Sequence, residues 1–144
     1  MSALTRTTGL SLAACFLVSV LSAAGETPFS TIAKLAATLS ENDADGALEI
    51  FDVQMKGYGE VEQNVDSITS QADISCDIEV LADMEADGVH KLDVDWFLQL
   101  KSQTDDSLLE RRRERVALEM RQIKGRWKIV SMSPLTILDP MRIK

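Results

Sequence analysis

At Gln71 the apolar residues change their period, and that change limits the fold more than any other feature of the chain. Ala72, Ile74, Cys76, Ile78, Val80 and Ala82 alternate with Gln71, Asp73, Ser75, Asp77 and Glu79. A period of two sends the two sets to opposite sides of a strand, so this stretch is buried on one face and acidic on the other. Ala86-Asp87-Gly88 is a turn signal, after which Leu92, Val94, Trp96, Leu98 and Leu100 alternate again. Ser102 to Ser107 is polar and forms the next turn. Lys124-Gly125-Arg126 forms another, ahead of a strand from Trp127 to Met132 that Pro134 ends. The segment Leu108 to Ile123 has the Leu, Glu, Arg, Ala and Met content of a helix. It lies between strands, however, and hairpin-length turns join it to them, so we read it as a strand. Short turns make neighbouring strands antiparallel.

Upstream the period is helical. Ile32, Leu35, Ala36 and Leu39 form one stripe, Ala44, Ala47, Leu48 and Phe51 a second, and Tyr58, Val61, Val65 and Ile68 a third. Asn42 or Asp43 can cap the second of these helices. The expectation is an α+β domain over residues 25–144, with three N-terminal helices packed on a curved antiparallel sheet.

Residues 1–24 read as a cleavable secretory signal. Arg6 is their only charge, Leu10 to Leu21 is almost wholly apolar, and Ser22-Ala23-Ala24 supplies small residues before a cut at Gly25. The apolar run is too short for a membrane anchor, which needs about 20 residues. Leu12-Ala13-Ala14-Cys15 resembles a lipoprotein box, but the run continues past the Cys through Phe16-Leu17-Val18. The mature protein is therefore expected to be periplasmic or extracellular, with no membrane span.

The chain has a net charge of −8, and losing Arg6 makes it more negative. Nucleic acid is not an expected partner of such a surface. Beyond residue 24 there is one Cys, Cys76, so no internal disulfide forms and stability rests on a packed core. His90 is the only His, which leaves too few ligands for zinc. Asp83, Glu85, Asp87 and Gly88 begin like a calcium loop, but Val94 stands where the closing acid belongs. Glu41, Asp43, Asp45 and Gly46 do the same, with Asp52 in the closing position. We read these as a hairpin turn and a helix cap, and expect no metal and no cofactor. There is no Gly-x-Ser-x-Gly and no glycine-rich phosphate loop.

Register gives the sharpest expectation. A three-residue loop Ala86-Asp87-Gly88, with Gly88 left-handed, sets Glu85 opposite Val89 and Ile78 opposite Trp96. The same parity with Trp96 opposite Arg112 sets Asp95 against Arg113 and Asp93 against Arg115. Those arginines then form a solvated ion-pair ladder on the outer face. Glu110, Arg112 and Glu114 fall on the inner face beside Val94, Trp96 and Leu98. Charges there pair with one another, line a wet cavity, or are turned out by a slip or bulge. The last hairpin, at Lys124-Gly125-Arg126, can close as a two- or three-residue loop, and the choice decides whether Trp127 and Ile129 face in or out; three residues would put Ile123, Trp127 and Ile129 together on the outer face. That patch would call for a homodimer through the sheet.

Asn42-Asp43-Ala44-Asp45-Gly46-Ala47, Val94-Asp95-Trp96-Phe97-Leu98, the arginines of 111–115 and Gly125-Arg126-Trp127-Lys128-Ile129-Val130 resemble the nuclear transport factor 2-like superfamily. This superfamily includes ketosteroid isomerases and SnoaL-like cyclases. The resemblance spans about residues 30–140 and implies a cone with a pocket on the concave face. Arg112, Glu114, Glu110, Trp96 and Tyr58 are the residues expected to line a ligand site there. No position matches the isomerases' set of a Tyr donor with two placed Asp residues. The expected function is an exported, non-catalytic module that binds a small organic ligand or a partner. The alternative is an acid-base isomerase, dehydratase or cyclase using Glu114 or Glu110 beside Arg112. A purely structural dimer is the third reading, favoured by a filled cavity.

Overall fold

Thr27 starts the first helix. Its side chain accepts from Ser30 N, and Ser30 Oγ accepts from Thr27 N in return, with Pro28 at the first helical position. The computed structural model describes residues 25–142. The signal peptide read at 1–24, with Cys15, lies outside the described residues.

Helix α1 spans Pro28–Ser40, α2 spans Ala44–Leu48 and α3 spans Tyr58–Gln71. Strands β1 (Ala72–Ala86), β2 (Val89–Ser102), β3 (Leu109–Ile123) and β4 (Arg126–Ser133) follow, then a 3-10 turn over Thr136–Leu138. The four strands form one antiparallel sheet in sequence order. The stripe residues Ile32, Leu35 and Leu39 of α1 and Val61, Val65 and Ile68 of α3 are buried against its inner face. The second helix is shorter than its stripe. Phe51 lies beyond it and is held beside Ile129 of β4 by the bonds Ile129 N to Ile50 O (2.8 Å) and Asp52 N to Ile129 O (2.9 Å).

Asn42, left-handed at φ 57°, ties the helices to the sheet. Its amide donates to Thr69 O (2.9 Å) and Ala72 O (2.6 Å) and accepts from Ile74 N (3.2 Å). Ser40 Oγ accepts from Cys76 N (2.9 Å). These side chains satisfy backbone groups on the free edge of β1 that have no neighbouring strand.

One loop differs from expectation, and another decides between two closures. The first hairpin turns on two residues, Asp87 (φ 53°) and Gly88 (φ 80°), with Ala86 opposite Val89. The residue that the shorter loop leaves over is absorbed at Leu81, a bulge between Val80 and Ala82, so Ile78 still faces Trp96. The bulge reverses parity beyond it and brings Asp83 and Glu85 opposite the inward Leu92 and His90. The last hairpin also has two residues, Lys124 (φ 53°) and Gly125 (φ 80°). Ile129 then pairs with Met120 and is fully buried, and Trp127 packs against the core. The condition for the outer patch of Ile123, Trp127 and Ile129 is therefore not met. Among the described residues no helix is long and apolar enough to cross a membrane.

Candidate functional site

The inner face of β3 changes character along its length. Val116, Leu118 and Met120 are buried among the core residues, whereas Glu110, Arg112 and Glu114 continue the same face with charges. Their register is two residues from that expected: Leu98 faces Arg112 and Trp96 faces Glu114. Parity is unchanged, so the three charged residues are on the inner face as expected. A guanidinium on this side has to find partners, since a charge in an apolar setting without hydrogen bonds is strongly disfavoured.

The chain end supplies them. After Pro134, Leu135 and the 3-10 turn bring Ile137 and Leu138 fully into the core, and Met141 follows them. Arg112 Nη1 donates to Ile137 O (2.9 Å) and to Asp139 O, and Nη2 to Pro140 O (3.2 Å). Its Nε donates to the Glu110 carboxylate, which also pairs with Nη2. Glu114 accepts from Thr136 Oγ1 at 3.0 Å, and Gln71 Oε1 accepts from Met141 N at 2.9 Å. Five donors in a rigid planar fork are what this arrangement uses, and a Lys could not span three carbonyls and a carboxylate. Outside this latch lies an open recess of about 350 Å³ lined by Glu110, Arg112, Glu114, Thr136, Asp139, Pro140 and Arg142.

The five expected site residues separate. Glu110, Arg112 and Glu114 share the recess. Trp96, opposite Glu114, is fully buried and does not line it, and its indole Nε1 has no hydrogen-bond partner among the described residues. Burial pushes the Cys76 thiol up to about 12; the Trp96 N–H acts against that shift, but it stops short of a hydrogen bond to sulfur. A thiol so held is no nucleophile. Tyr58 lies elsewhere, in a recess of about 490 Å³ with Asp45, Glu49, Val53, Glu62 and Lys128. Burial raises its pKa, aided by the nearby Glu62 and Asp66.

On the inner face at the far end of the sheet, Asp83 Oδ1 lies 2.9 Å from His90 Nδ1, and Glu85 lies 3.8 Å from Nε2. The ring meets Trp127 edge-on, with centroids 5.0 Å apart. The two acids flank opposite sides of the imidazole, which suits a polar clasp and not a shared metal. Among the described residues no three His, Cys, Asp or Glu side chains are grouped to hold a metal ion. Asp43 caps α2 through Gly46 N (2.9 Å), as a helix cap should. The latch and the clasp both escaped the sequence. Carbonyl acceptors have no side-chain signature, and only the apolar Ile137, Leu138 and Met141 hinted that the chain end is packed. The clasp depends on the bulge at Leu81.

No protein-family model and no curated protein sequence matches the chain. Its backbone is similar to solved structures. A conserved protein from Planctomyces limnophilus has 6% identity, with a TM-score of 0.65 over 72% of this chain and 88% of that one. A putative scytalone dehydratase from Novosphingobium aromaticivorans has 9% identity and a TM-score of 0.64, covering 81% and 82%. A nuclear transport factor 2-like superfamily protein from Salmonella enterica has 12% identity and a TM-score of 0.58, covering 80% and 89%. At such identities the likeness concerns fold and leaves the site to be argued from its own residues. With three helices followed by a curved four-stranded antiparallel sheet, this chain has the nuclear transport factor 2-like fold.

Proposed function

We propose that this chain is an exported, non-catalytic binding module, taking a small organic ligand at the recess beside Arg112 and a second copy of itself as protein partner. The observation that carries the non-catalytic half of the reading is the filled inner face, which a purely structural dimer shares; the open recess beside Arg112 is what favours a ligand. Trp96, Leu98 and Leu100 have no accessible surface, so no water-sized space touches them. Catalysis on a small substrate needs a shielded reacting bond with an acid or base in reach. Here Glu110 and Glu114 are engaged by Arg112 and Thr136 at the rim of an open recess. The recess suits reversible binding of a carboxylate or carbonyl group, with Arg142 as a lining guanidinium that makes no ion pair among the described residues. Trp96 is buried opposite Glu114 and does not line the recess, and Tyr58 belongs to a separate surface. Export rests on the signal-like segment 1–24 and predicts a mature mass that begins at or near Gly25.

Titration calorimetry with a panel of small carboxylates tests the binding. Wild type should bind one of them, and Arg142→Ala should weaken that binding with an unchanged melting temperature. Equal binding by both proteins would remove the recess from the reading. The likeness to a protein described as a putative scytalone dehydratase is the observation that favours the acid-base alternative. Dehydration or isomerisation of a small substrate, lost in Glu114→Gln, would establish that alternative instead.

A further inference from the structure

The shortness of the second helix opens a basin at the edge of the sheet. Helix α2 ends at Leu48, the chain crosses the edge of β4 at Phe51, and Gly57, left-handed at φ 87°, turns it into α3. Tyr58 thus opens α3 and lines the recess of about 490 Å³ that α2, α3 and β4 share. The apolar part of the lining is Leu48, Phe51, Val53 and the Tyr58 ring. Val53 is 64% exposed, so this apolar floor is in contact with water. The polar part is acidic apart from one lysine. Asp45 and Glu49 stand one turn apart along α2 and its C-cap, and Glu62 follows Tyr58 by one turn of α3. Asp66 continues that second row. Burial is the first cause of the raised Tyr58 pKa, and the charges of Glu62 and then Asp66 add to it, so the ring stands in a negative field. Like charges one helical turn apart repel each other. None of these four acids makes an ion pair among the described residues. Lys128, the lysine of the lining, turns its ammonium to the backbone carbonyl of Glu49.

We infer that this recess binds an organic ammonium ion, its charge among Asp45, Glu49 and Glu62 and its apolar groups on Leu48, Val53 and Tyr58. The two halves of the lining select that chemistry together. A bare metal ion would leave the apolar floor in water, and among the described residues no three acids are grouped to hold one. A neutral apolar ligand would cover the floor and leave the acid rows repelling each other. An ammonium that carries methyl groups serves both: the face of an aromatic ring attracts a cation, and the carboxylates supply the opposite charge around it. Lys128 shows in this chain that an ammonium is accepted at the rim, and its own charge opposes a second cation there. An acidic surface collects any cation to some degree, and the net charge of −8 adds to that. What separates a site from a counterion cloud is the apolar floor, so the ligand has to be read against cations and against apolar groups separately. This recess lies apart from the one beside Arg112 and takes the opposite charge. The inference therefore goes beyond the proposed function and stands without it.

Choline chloride is the probe, followed by NMR of the isotope-labelled chain with sodium chloride keeping the ionic strength constant. The amide signals of Val53 and Tyr58 should shift and saturate with a Kd of about 1 mM, the range of a small ligand with few contacts. The neutral isostere 3,3-dimethyl-1-butanol, which has carbon in place of the charged nitrogen, should bind at least about tenfold more weakly. Tyr58→Leu keeps an apolar side chain and removes the ring, and should weaken choline about fivefold. Glu62→Gln is an exposed change that keeps the fold should Tyr58→Leu disturb it, and should weaken choline about threefold. Lys128→Met removes the competing charge and should tighten binding. No saturable shift at Val53 and Tyr58 in wild type would overturn the inference. So would equal binding of choline and its neutral isostere, which would make the recess merely apolar. Shifts reproduced by sodium chloride alone would reduce it to a counterion cloud. Choline binding untouched by both Tyr58→Leu and Glu62→Gln would put the ion elsewhere on the chain and overturn the assignment.

Discussion

Arg112 and Arg113 are neighbours in β3, and the pleat sends them to different surroundings. Arg112 is 15% exposed and spends its donors on three backbone carbonyls and a carboxylate of its own chain. Arg113 is 72% exposed and holds one carboxylate, Asp95, across the outer face. The comparison separates two uses of one side chain. On the inner side an arginine is anchored by groups that have lost water and need it in return. On the outer side it is screened by water, contributes little to folding, and keeps donors that a partner can use.

Substituting the pair is the largest test of that contrast. Arg112→Leu leaves the carbonyls of Ile137, Asp139 and Pro140 and the Glu110 carboxylate without their donor. A buried polar group left unpaired costs ~1–3 kcal/mol, and part of this end is open to water, so we expect a loss of about 3 kcal/mol in urea denaturation. Arg113→Leu should leave the urea midpoint where it is. Equal midpoints in the two variants would erase the distinction between the faces.

The edge of β1 offers a smaller version of the same test. Asn42 supplies three hydrogen bonds to strand and helix backbone and occupies a left-handed conformation that Ala adopts poorly. Asn42→Ala should lower stability by about 2 kcal/mol. Gly125→Ala meets no atom within 4 Å, so only its φ of 80° is strained, and about 1 kcal/mol is expected. A cost for Gly125→Ala as large as that for Asn42→Ala would show that turn geometry outweighs edge capping here.

The order of helices and strands could be read from the sequence because period is a local property. Ile32, Leu35 and Leu39 recur at helical spacing and Ile74, Cys76 and Ile78 at strand spacing, and each reading needs only nearby residues. Inward and outward parity survived for the same reason from β2 into β3, though not in β1 beyond Leu81, and it placed Glu110, Arg112 and Glu114 on the inner face. The exact register did not survive. A first hairpin shorter than expected, with bulges at Leu81 and Val130, redistributes one residue at a time in ways that no composition signals. The opposite-charge contacts formed even so, reached diagonally: Asp95 stands opposite Arg115 yet bonds Arg113. Glu110 was an expected partner of Arg112; what the sequence withheld was its backbone partners. An arginine beside two glutamates reads as a binding wall, and only the fold brings the carbonyls of 137–140 against it. Replacement by Leu reads as harmless from composition and as destabilising from structure.

The smallest expected effect is also the most local. The hydrogen bond from Arg113 holds the Asp95 carboxyl below the ordinary aspartate range; slight desolvation acts against this, and the charges of Arg113 and Arg115 act with it. A group whose folded-state pKa is depressed contributes stability above its unfolded value and loses that contribution as pH falls through the folded value. The effect is therefore confined to acid solution, below the ordinary aspartate value, and absent at neutral pH. Carboxyl carbon shifts followed by NMR between neutral and strongly acid pH should give Asp95 a midpoint below that of a free aspartate. Arg113→Leu should raise the midpoint toward the ordinary value, since it removes the largest cause. Arg112→Leu should leave it unmoved, because Arg112 faces the other side of the strand. A shift of the Asp95 midpoint in both variants would mean that the two faces of β3 are electrically joined, and the contrast between the neighbouring arginines would then be one of degree.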